Sequence, residues 1–312
     1  MKTLAVINPR SANGRTGRDR HKILEILRGA ADPLTAMFTS APMEATTVTR
    51  QALLDGAGQI IAVGGDGTVN EVVNGFFQSG ILVNPEARLG LMMHGTGGDV
   101  GRTFGIEDGL VASARRIAAG RTRAIDVGRV SFMADDGTPG ERYFDNIGSF
   151  GMSGAVSRRV NRGGLSRLLG GSFAFAWAGL HGILRHRSRS VRLTIDSAFD
   201  EVVTISTVAV CNGQYFGGGM QVAPDAVPDD GWFDIVILGD APRGEMLKAM
   251  RQIYTGDHVH RPYVKVIRGR SVAAAPTEAA GSAPVFLDID GETPGRLPAK
   301  FELLPGVLKL CC

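Results

Sequence analysis

The first part of the chain alternates short apolar runs with segments whose apolar residues recur at helical spacing. Leu4 to Ile7 is a brief apolar run ending at Asn8-Pro9, and Ile23, Ile26, Leu27 and Ala30 then mark one helical face. Leu34 to Phe38 predicts a second strand and Met43 to Leu54 a second helix. Ile60 to Val63 predicts a third strand, followed by a helix whose face carries Val69, Val72, Val73, Phe76 and Phe77. Arg88 to Met93 predicts a fourth strand and Leu110 to Ala119 a further helix. Strands alternating with helices imply a mostly parallel sheet with helices on both faces.

Near Arg121 to Asp126 the pattern changes. Strand-like runs now follow one another at Ala124 to Met133, Arg142 to Ile147, Val191 to Asp196, Val202 to Cys211, Trp232 to Leu238, Val264 to Arg268 and Val285 to Ile289. Asp136-Gly137 and Asp230-Gly231 supply turns between them. Helical patterns interrupt the series near Gly151 to His186 and from Arg243 to Tyr254, and Ala273 to Ala283, small and carrying Pro276, predicts a surface loop. The expected fold is an α/β domain over residues 1–123 and a β-rich, sandwich-like domain over 124–312.

Composition adds limits. With 44 % hydrophobic and 21 % charged residues the chain is globular, and a net charge of +3 makes no case for nucleic acid. Charge distribution says more. No acid lies between Asp145 and Asp196, while Arg158, Arg159, Arg162, Arg167, Arg185, Arg187, Arg189 and Arg192 do. Such a stretch suits either an anionic surface or a solvated face. Phe173, Phe175, Trp177, Leu180, Ile183 and Leu184, followed by Arg185-His186-Arg187, suit a helix that either docks at a lipid surface or packs as core. The run is too short to span a bilayer. Cys211, Cys311 and Cys312 form neither a disulfide framework nor a metal spacing. With no secretory pattern at Met1 to Ile7, a cytoplasmic protein is expected.

The chemistry gathers where strands end. Ile60 to Val63 runs straight into Gly64-Gly65-Asp66-Gly67-Thr68, and an amphipathic helix starts at once. Backbone amides and a helix N-terminus there can face a phosphate, and the glycines let it come close. No Gly-Lys-Ser/Thr follows, so this is not a Walker A loop, and the dinucleotide fingerprint G-x-G-x-x-G is absent. Asp66 is repulsive beside phosphates unless a divalent cation or a base role explains it. Asn8-Pro9-Arg10-Ser11-Ala12-Asn13-Gly14-Arg15 follows the first strand and Gly95-Thr96-Gly97-Gly98-Asp99 the fourth. Ligands of open α/β sheets sit beyond the strands' carboxyl ends, so the three loops converge by topology.

Gly64 to Glu71, Asn8-Pro9, Gly95-Thr96, Asp229-Asp230-Gly231 and Asp288-Ile289-Asp290-Gly291-Glu292 together resemble the diacylglycerol kinase catalytic-domain family, which includes bacterial lipid kinases and sphingosine and ceramide kinases. The resemblance spans nearly the whole chain. Gly-Gly-Asp-Gly-Thr alone is shared with NAD kinases and is similar to a phosphofructokinase loop; the late Asp-Gly-Glu makes the combination specific. The resemblance implies an NAD-kinase-like or phosphofructokinase-like first domain that binds ATP, a second domain for the lipid substrate, and last residues able to pack back on the first. It implies nucleotide contacts at Asn8, Pro9, Arg10, Ser11, Ala12, Thr39, Gly65, Asp66, Gly67, Thr68, Val69, Asn70, Glu71 and Thr96. Asp66 and Asp126 would work near the phosphates and their metal, and Glu292 would be the general base. A structural Mg2+ would take Asp230 and the carbonyls of Val227 and Trp232.

Local pattern alone leaves other roles open. Thr39 suits the region before a helix, Asp126 a salt bridge to Arg123 or Arg129, and Asp290-Gly291 and Asp230-Gly231 plain turns. Two positions depart from the family's pattern: Gly97-Gly98-Asp99-Val100 replaces a common x-Asn-Asp-Phe, and Arg15 stands where lysine often occurs. The expected activity is ATP-dependent phosphorylation of a lipid hydroxyl, with transient membrane contact, no nucleic-acid partner and an open oligomeric state. The alternatives are an NAD-kinase-like phosphotransferase or a non-catalytic lipid- or nucleotide-binding protein.

Overall fold

The computed structural model describes residues 1–95, 98–106, 109–163, 188–277 and 283–312. They divide into two compact units, Met1–Asp126 with Gly306–Cys312, and Val127–Pro305.

The first unit opens with β1 (Thr3–Ile7), α1 (Arg15–Arg18), α2 (Arg20–Arg28), β2 (Leu34–Phe38), α3 (Glu44–Leu54), β3 (Gln59–Gly64) and α4 (Asp66–Gly75). The short pair β4 (Phe77–Gln78) and β5 (Ile81–Leu82) leads to β6 (Arg88–Met93), α5 (Asp99–Phe104) and α6 (Gly109–Ala119). β1 lies between β2 and β3, β3 pairs with β6, and every pairing is parallel. That is the predicted sheet. β1 and β3 are buried along their whole length, as strands covered on both faces must be. One core gathers Ala5, Ile7, Ile23, Leu27, Ile61 and Val63 with Met92, Ala114, Ile117 and Cys311.

The second unit holds β7 (Thr122–Ala134, from Val127 on), β8 (Pro139–Phe144), β9 (Ile147–Gly151), α7 (Met152–Gly163), β10 (Arg189–Ile195) and β11 (Phe199–Cys211). A small β12 (Tyr215–Phe216) and β13 (Met220–Gln221) ladder precedes β14 (Phe233–Gly239), α8 (Arg243–Gln252), β15 (Val264–Gly269), β16 (Ser271–Pro276), β17 (Leu287–Ile289) and β18 (Gly295–Cys311). Here the pairings are antiparallel. β11 is central: its first half pairs with β10, its second half with β9, and β14 runs along its other edge. Phe144 stacks on Phe233 at 5.7 Å between ring centroids and meets Phe301 edge-on at 6.1 Å. Gly128 lies directly across from Phe144, whose ring would stand 2.1 Å from any Cβ there. The last residues of β18 return to the first unit, where Lys309 and Leu310 pair in parallel with Arg88 and Leu89 of β6.

Three expectations require correction. Ala273 to Ala283 is not all loop, because β16 pairs with both β10 and β18; its alanines pack where bulk is not needed, and Pro276 falls at the strand's end, where a missing N–H costs little. Arg142 to Ile147 is not one strand. The chain breaks between β8 and β9 at Asp145-Asn146, where the Asn146 amide donates to Tyr215 O at 2.6 Å. The helix after the glycine-rich turn ends at Gly75, so Phe77 belongs to β4. The apolar run Phe173 to Leu184 lies outside the described residues, as do Arg167, Arg185 and Arg187. Among the described residues no helix is long and apolar enough to cross a membrane.

Candidate active site

In the first unit, β3 delivers Gly64 and Gly65 to the start of α4, with Gly65 in an extended N-cap conformation and Asp66 as the first helical residue. No side chain fits at Gly64, where a Cβ would sit 2.4 Å from Thr68 Oγ1. Gly65 packs on the loop after β6, since a Cβ on Gly95 would come within 2.6 Å of Gly65 Cα. Two glycine loops thus cross backbone on backbone. Gly67 is exposed, and a Cβ there would meet only open space. This cradle fits a phosphate approaching the first turn of α4.

The Asp66 carboxylate turns toward α5. It accepts the Asp99 N–H at 3.3 Å on one oxygen and the Val100 N–H at 3.1 Å on the other. Two helix N-termini therefore meet at one half-buried acid. Asp99 itself is buried and pairs with Arg102 at 2.9 Å.

The loop after β1 is tied to the same place. The Asn8 N–H continues the ladder to Val63 O at 3.0 Å, and its side-chain amide donates to Thr68 Oγ1 at 3.1 Å. Asn8 Oδ1 accepts the Arg10 N–H, which shapes the Pro9 turn, and the Ser11 hydroxyl donates to Asn8 O at 2.8 Å. Arg10 is exposed, and Ala12 takes a positive φ of 51°. A side-chain chain that sequence reading missed completes the assembly. Ser11 Oγ lies 2.6 Å from the buried Thr16 Oγ1, which lies 2.7 Å from His94 Nδ1. His94 Nε2 faces Asp19 at 3.5 Å, and the His94 N–H donates to Gly64 O at 2.7 Å. Burial and the Arg15 charge hold the His94 ring below its ordinary pKa, against the pull of Asp19.

The remaining positions singled out in the sequence make the following contacts. Thr39 is buried and extends the β1–β2 ladder through its N–H to Ile7 O at 2.9 Å. Val69 and Asn70 are buried on α4. Glu71 faces α3, accepting the Ala45 N–H at 3.2 Å. Asp126 is buried, and one of its oxygens accepts the Gly306 N–H at 2.6 Å, which fixes the returning end of β18. Arg123 stacks over Phe104 and Arg129 pairs with Glu302 at 2.7 Å. Thr96 lies outside the described residues.

In the second unit, Glu292 is exposed on a tight turn. Ile289 and Glu292 exchange backbone hydrogen bonds at 2.8 and 2.9 Å, and Asp290 and Gly291 between them both have positive φ, 48° and 88°. This is a type I′ pattern, for which Asp-Gly is the expected pair.

Asp230 occupies a turn whose N–H reaches Val227 O at 3.4 Å. One of its oxygens accepts the Trp232 N–H at 3.0 Å and the other forms a short ion pair with Arg268. Arg270 stacks on the Trp232 ring at 4.2 Å and donates to Gly231 O. Each carboxylate oxygen thus has a protein partner, one of them a guanidinium that competes with a cation for it. In this arrangement Val227, Asp230 and Trp232 do not fit a magnesium ion. Among the described residues no group of three or more His, Cys, Asp or Glu could hold a metal either.

Comparison with known proteins bears on the family and the fold. Residues 2–130 match the family model described as the diacylglycerol kinase catalytic domain, and residues 146–312 the YegS C-terminal NAD kinase beta sandwich-like domain. The chain is similar to the diacylglycerol kinase of Mycobacterium tuberculosis (strain ATCC 25618 / H37Rv), 26 % identical over 310 residues, 99 % of this chain and 94 % of that protein. It is similar to that of Bacillus subtilis (strain 168), 28 % identical over 304 residues, 96 % and 93 % of the two chains. A solved diacylglycerol kinase from Bacillus anthracis str. Sterne shares the fold with a TM-score of 0.70 at 21 % identity, covering 99 % of this chain and 96 % of that one. A second structure from that organism reaches 0.80 at 23 %, covering 99 % and 94 %.

Proposed function

The chain belongs to the diacylglycerol kinase catalytic-domain family, and from that premise we propose that it transfers the γ-phosphoryl group of ATP to a hydroxyl group of a lipid. The observation that carries the reading is the joining of three loops in the first unit: Asn8 to Thr68, Gly65 against Gly95, and Asp66 on the α5 amides. A phosphate at α4 would meet backbone amides and a carboxylate able to hold the magnesium that travels with ATP. In this reading the first unit binds nucleotide and the second the lipid.

Glu292 takes the proton of the lipid hydroxyl as its oxygen bonds to the γ-phosphorus and the bond to the β-phosphate oxygen breaks. ADP leaves with the bonding pair. Asp66 and Asp126 act on the nucleotide side. A lipid acceptor requires transient contact with a membrane surface, for which the basic stretch after Asp145 is the sequence candidate.

The test is transfer of labelled phosphate from ATP to extracted lipids, read by mass spectrometry. Asp66→Ala and Glu292→Gln should each lose at least about 100-fold in turnover. Full activity in both would sink the assigned roles, and transfer to NAD with none to lipid would replace the acceptor.

A further inference from the structure

A general base must be held close to its working position, because a displacement of about 1 Å can cost about 100-fold in rate. Glu292 sits on a two-residue turn, a small element that would move if left alone. It is not left alone. Both backbone polar groups of Gly291 are held by side chains: its N–H donates to Asp288 Oδ1 at 2.8 Å, and its carbonyl accepts from Asn161 Nδ2 at 2.9 Å. The other Asp288 oxygen shares a 2.5 Å hydrogen bond with the Ser157 hydroxyl. Ser157 and Asn161 are one helical turn apart on α7, so a single helix face grips the turn through two links. From the opposite side, Asp290 accepts the Ile147 N–H at 2.8 Å and the Asp145 N–H at 3.2 Å.

We propose that Asp288, with Ser157 and Asn161 of α7, is a positioning clasp that fixes the turn presenting Glu292. The inference rests on the reading of Glu292 as the base. Asp288 is buried in β17 between Leu287 and Ile289, across from Ser149 of β9. The charges that act on it are acidic, Asp290 and Glu292. On α7 the Arg158 guanidinium is committed to Asp135 and stacked over Phe286. Burial pushes the Asp288 carboxyl up to about 7, against the pull of Ser157 and the Gly291 N–H. While it keeps its proton, the acid holds both links and adds no further negative charge to Asp290 and Glu292. A clasp of this kind explains why an acid occupies an inward strand position that an apolar residue would fill at lower cost.

The test compares steady-state lipid phosphorylation by wild type, Asn161→Ala, Asp288→Ala, Asp288→Asn and Glu292→Gln across neutral pH, with circular dichroism as the folding check. Asn161→Ala and Asp288→Ala should lower kcat about 10- to 100-fold with the KM for ATP within about twofold. Asp288→Asn can still accept from Gly291 and donate to Ser157. It should keep kcat within about threefold and lack the change in rate expected of wild type near pH 7. Asn161 is exposed, so its variant carries the test even where Asp288→Ala fails to fold. Wild-type kcat in folded Asn161→Ala beside an inactive Glu292→Gln overturns the clasp. Full activity in Glu292→Gln overturns the base reading instead.

Discussion

Replacing Asp288 by asparagine should change the pH dependence of stability in a direction that the structure fixes. The ordinary value for the carboxyl is 3.8 and burial moves it to about 7, so the folded protein holds a proton that the unfolded chain has released. Its contribution is therefore complete below about pH 4, declines as pH rises, and is gone above about pH 7. At roughly 1.4 kcal/mol per pH unit, wild type loses about 4 kcal/mol across that window from this group alone. Total stabilities of about 5–15 kcal/mol make that a large fraction. Asparagine is neutral throughout and preserves both hydrogen bonds, so it shows no such loss. All other titrations are common to the two proteins and cancel in the difference. The assay is urea unfolding of both proteins at a series of values from about pH 5 to about pH 8.5, followed by tryptophan fluorescence. Trp232 belongs to the unit that contains Asp288, so its part of the signal reports the relevant transition. Asp288→Asn should gain on wild type as pH rises to about 7 and hold that gain above it. Curves that run parallel, or a variant that falls behind as pH rises, would refute a buried neutral acid.

Two further outcomes follow from the glycine crossing and from the Asp230 turn. Gly95→Ala places a methyl 2.6 Å from Gly65 Cα, where backbone must give way; the cost should be about 1–3 kcal/mol in stability with at least a tenfold rise in the KM for ATP, roughly the effect of lifting the loop off the phosphate, and an unchanged KM would disconnect this crossing from nucleotide binding. With Arg268 paired to Asp230, magnesium or a chelator should leave the Tm of the nucleotide-free protein unchanged; a saturable rise in Tm that Asp230→Asn abolishes would place a metal there after all.

The parallel sheet was legible because its central strands β1 and β3 are buried on both faces and so appear as largely apolar runs, each followed by a helical pattern. β18 was not. Its inward positions include Gly295, Leu297, Ala299, Phe301 and Leu303, and Pro298 and Pro305-Gly306 interrupt the alternation that would reveal a strand of 17 residues. β16 was lost for a similar reason, since alanines at inward positions give no hydrophobic contrast. The loops at the candidate site were legible by composition. Glycines directly after an apolar strand mean close backbone approach, and Gly64, Gly65 and Gly95 do approach closely.

What sequence could not supply is which side chain faces which. Thr16 and His94 lie 78 positions apart, and Ser157 and Asp288 lie 131 apart. Periodicity assigns a residue to a face but names no partner across it. Asp288 is the instructive case, because part of its role could be inferred from local sequence. It sits between two apolar residues in a strand, and no Lys or Arg occurs from Ala283 to Gly295, while Asp290 and Glu292 follow. A carboxyl buried among acids with no nearby cation in sequence must either find a distant base or stay protonated. Burial pushes it toward the second course, against the two donors, Ser157 and the Gly291 N–H, that reach its oxygens. A buried carboxyl that holds its proton more tightly than usual is thereby fixed four residues before the candidate base, where local sequence shows the acid but not its partners.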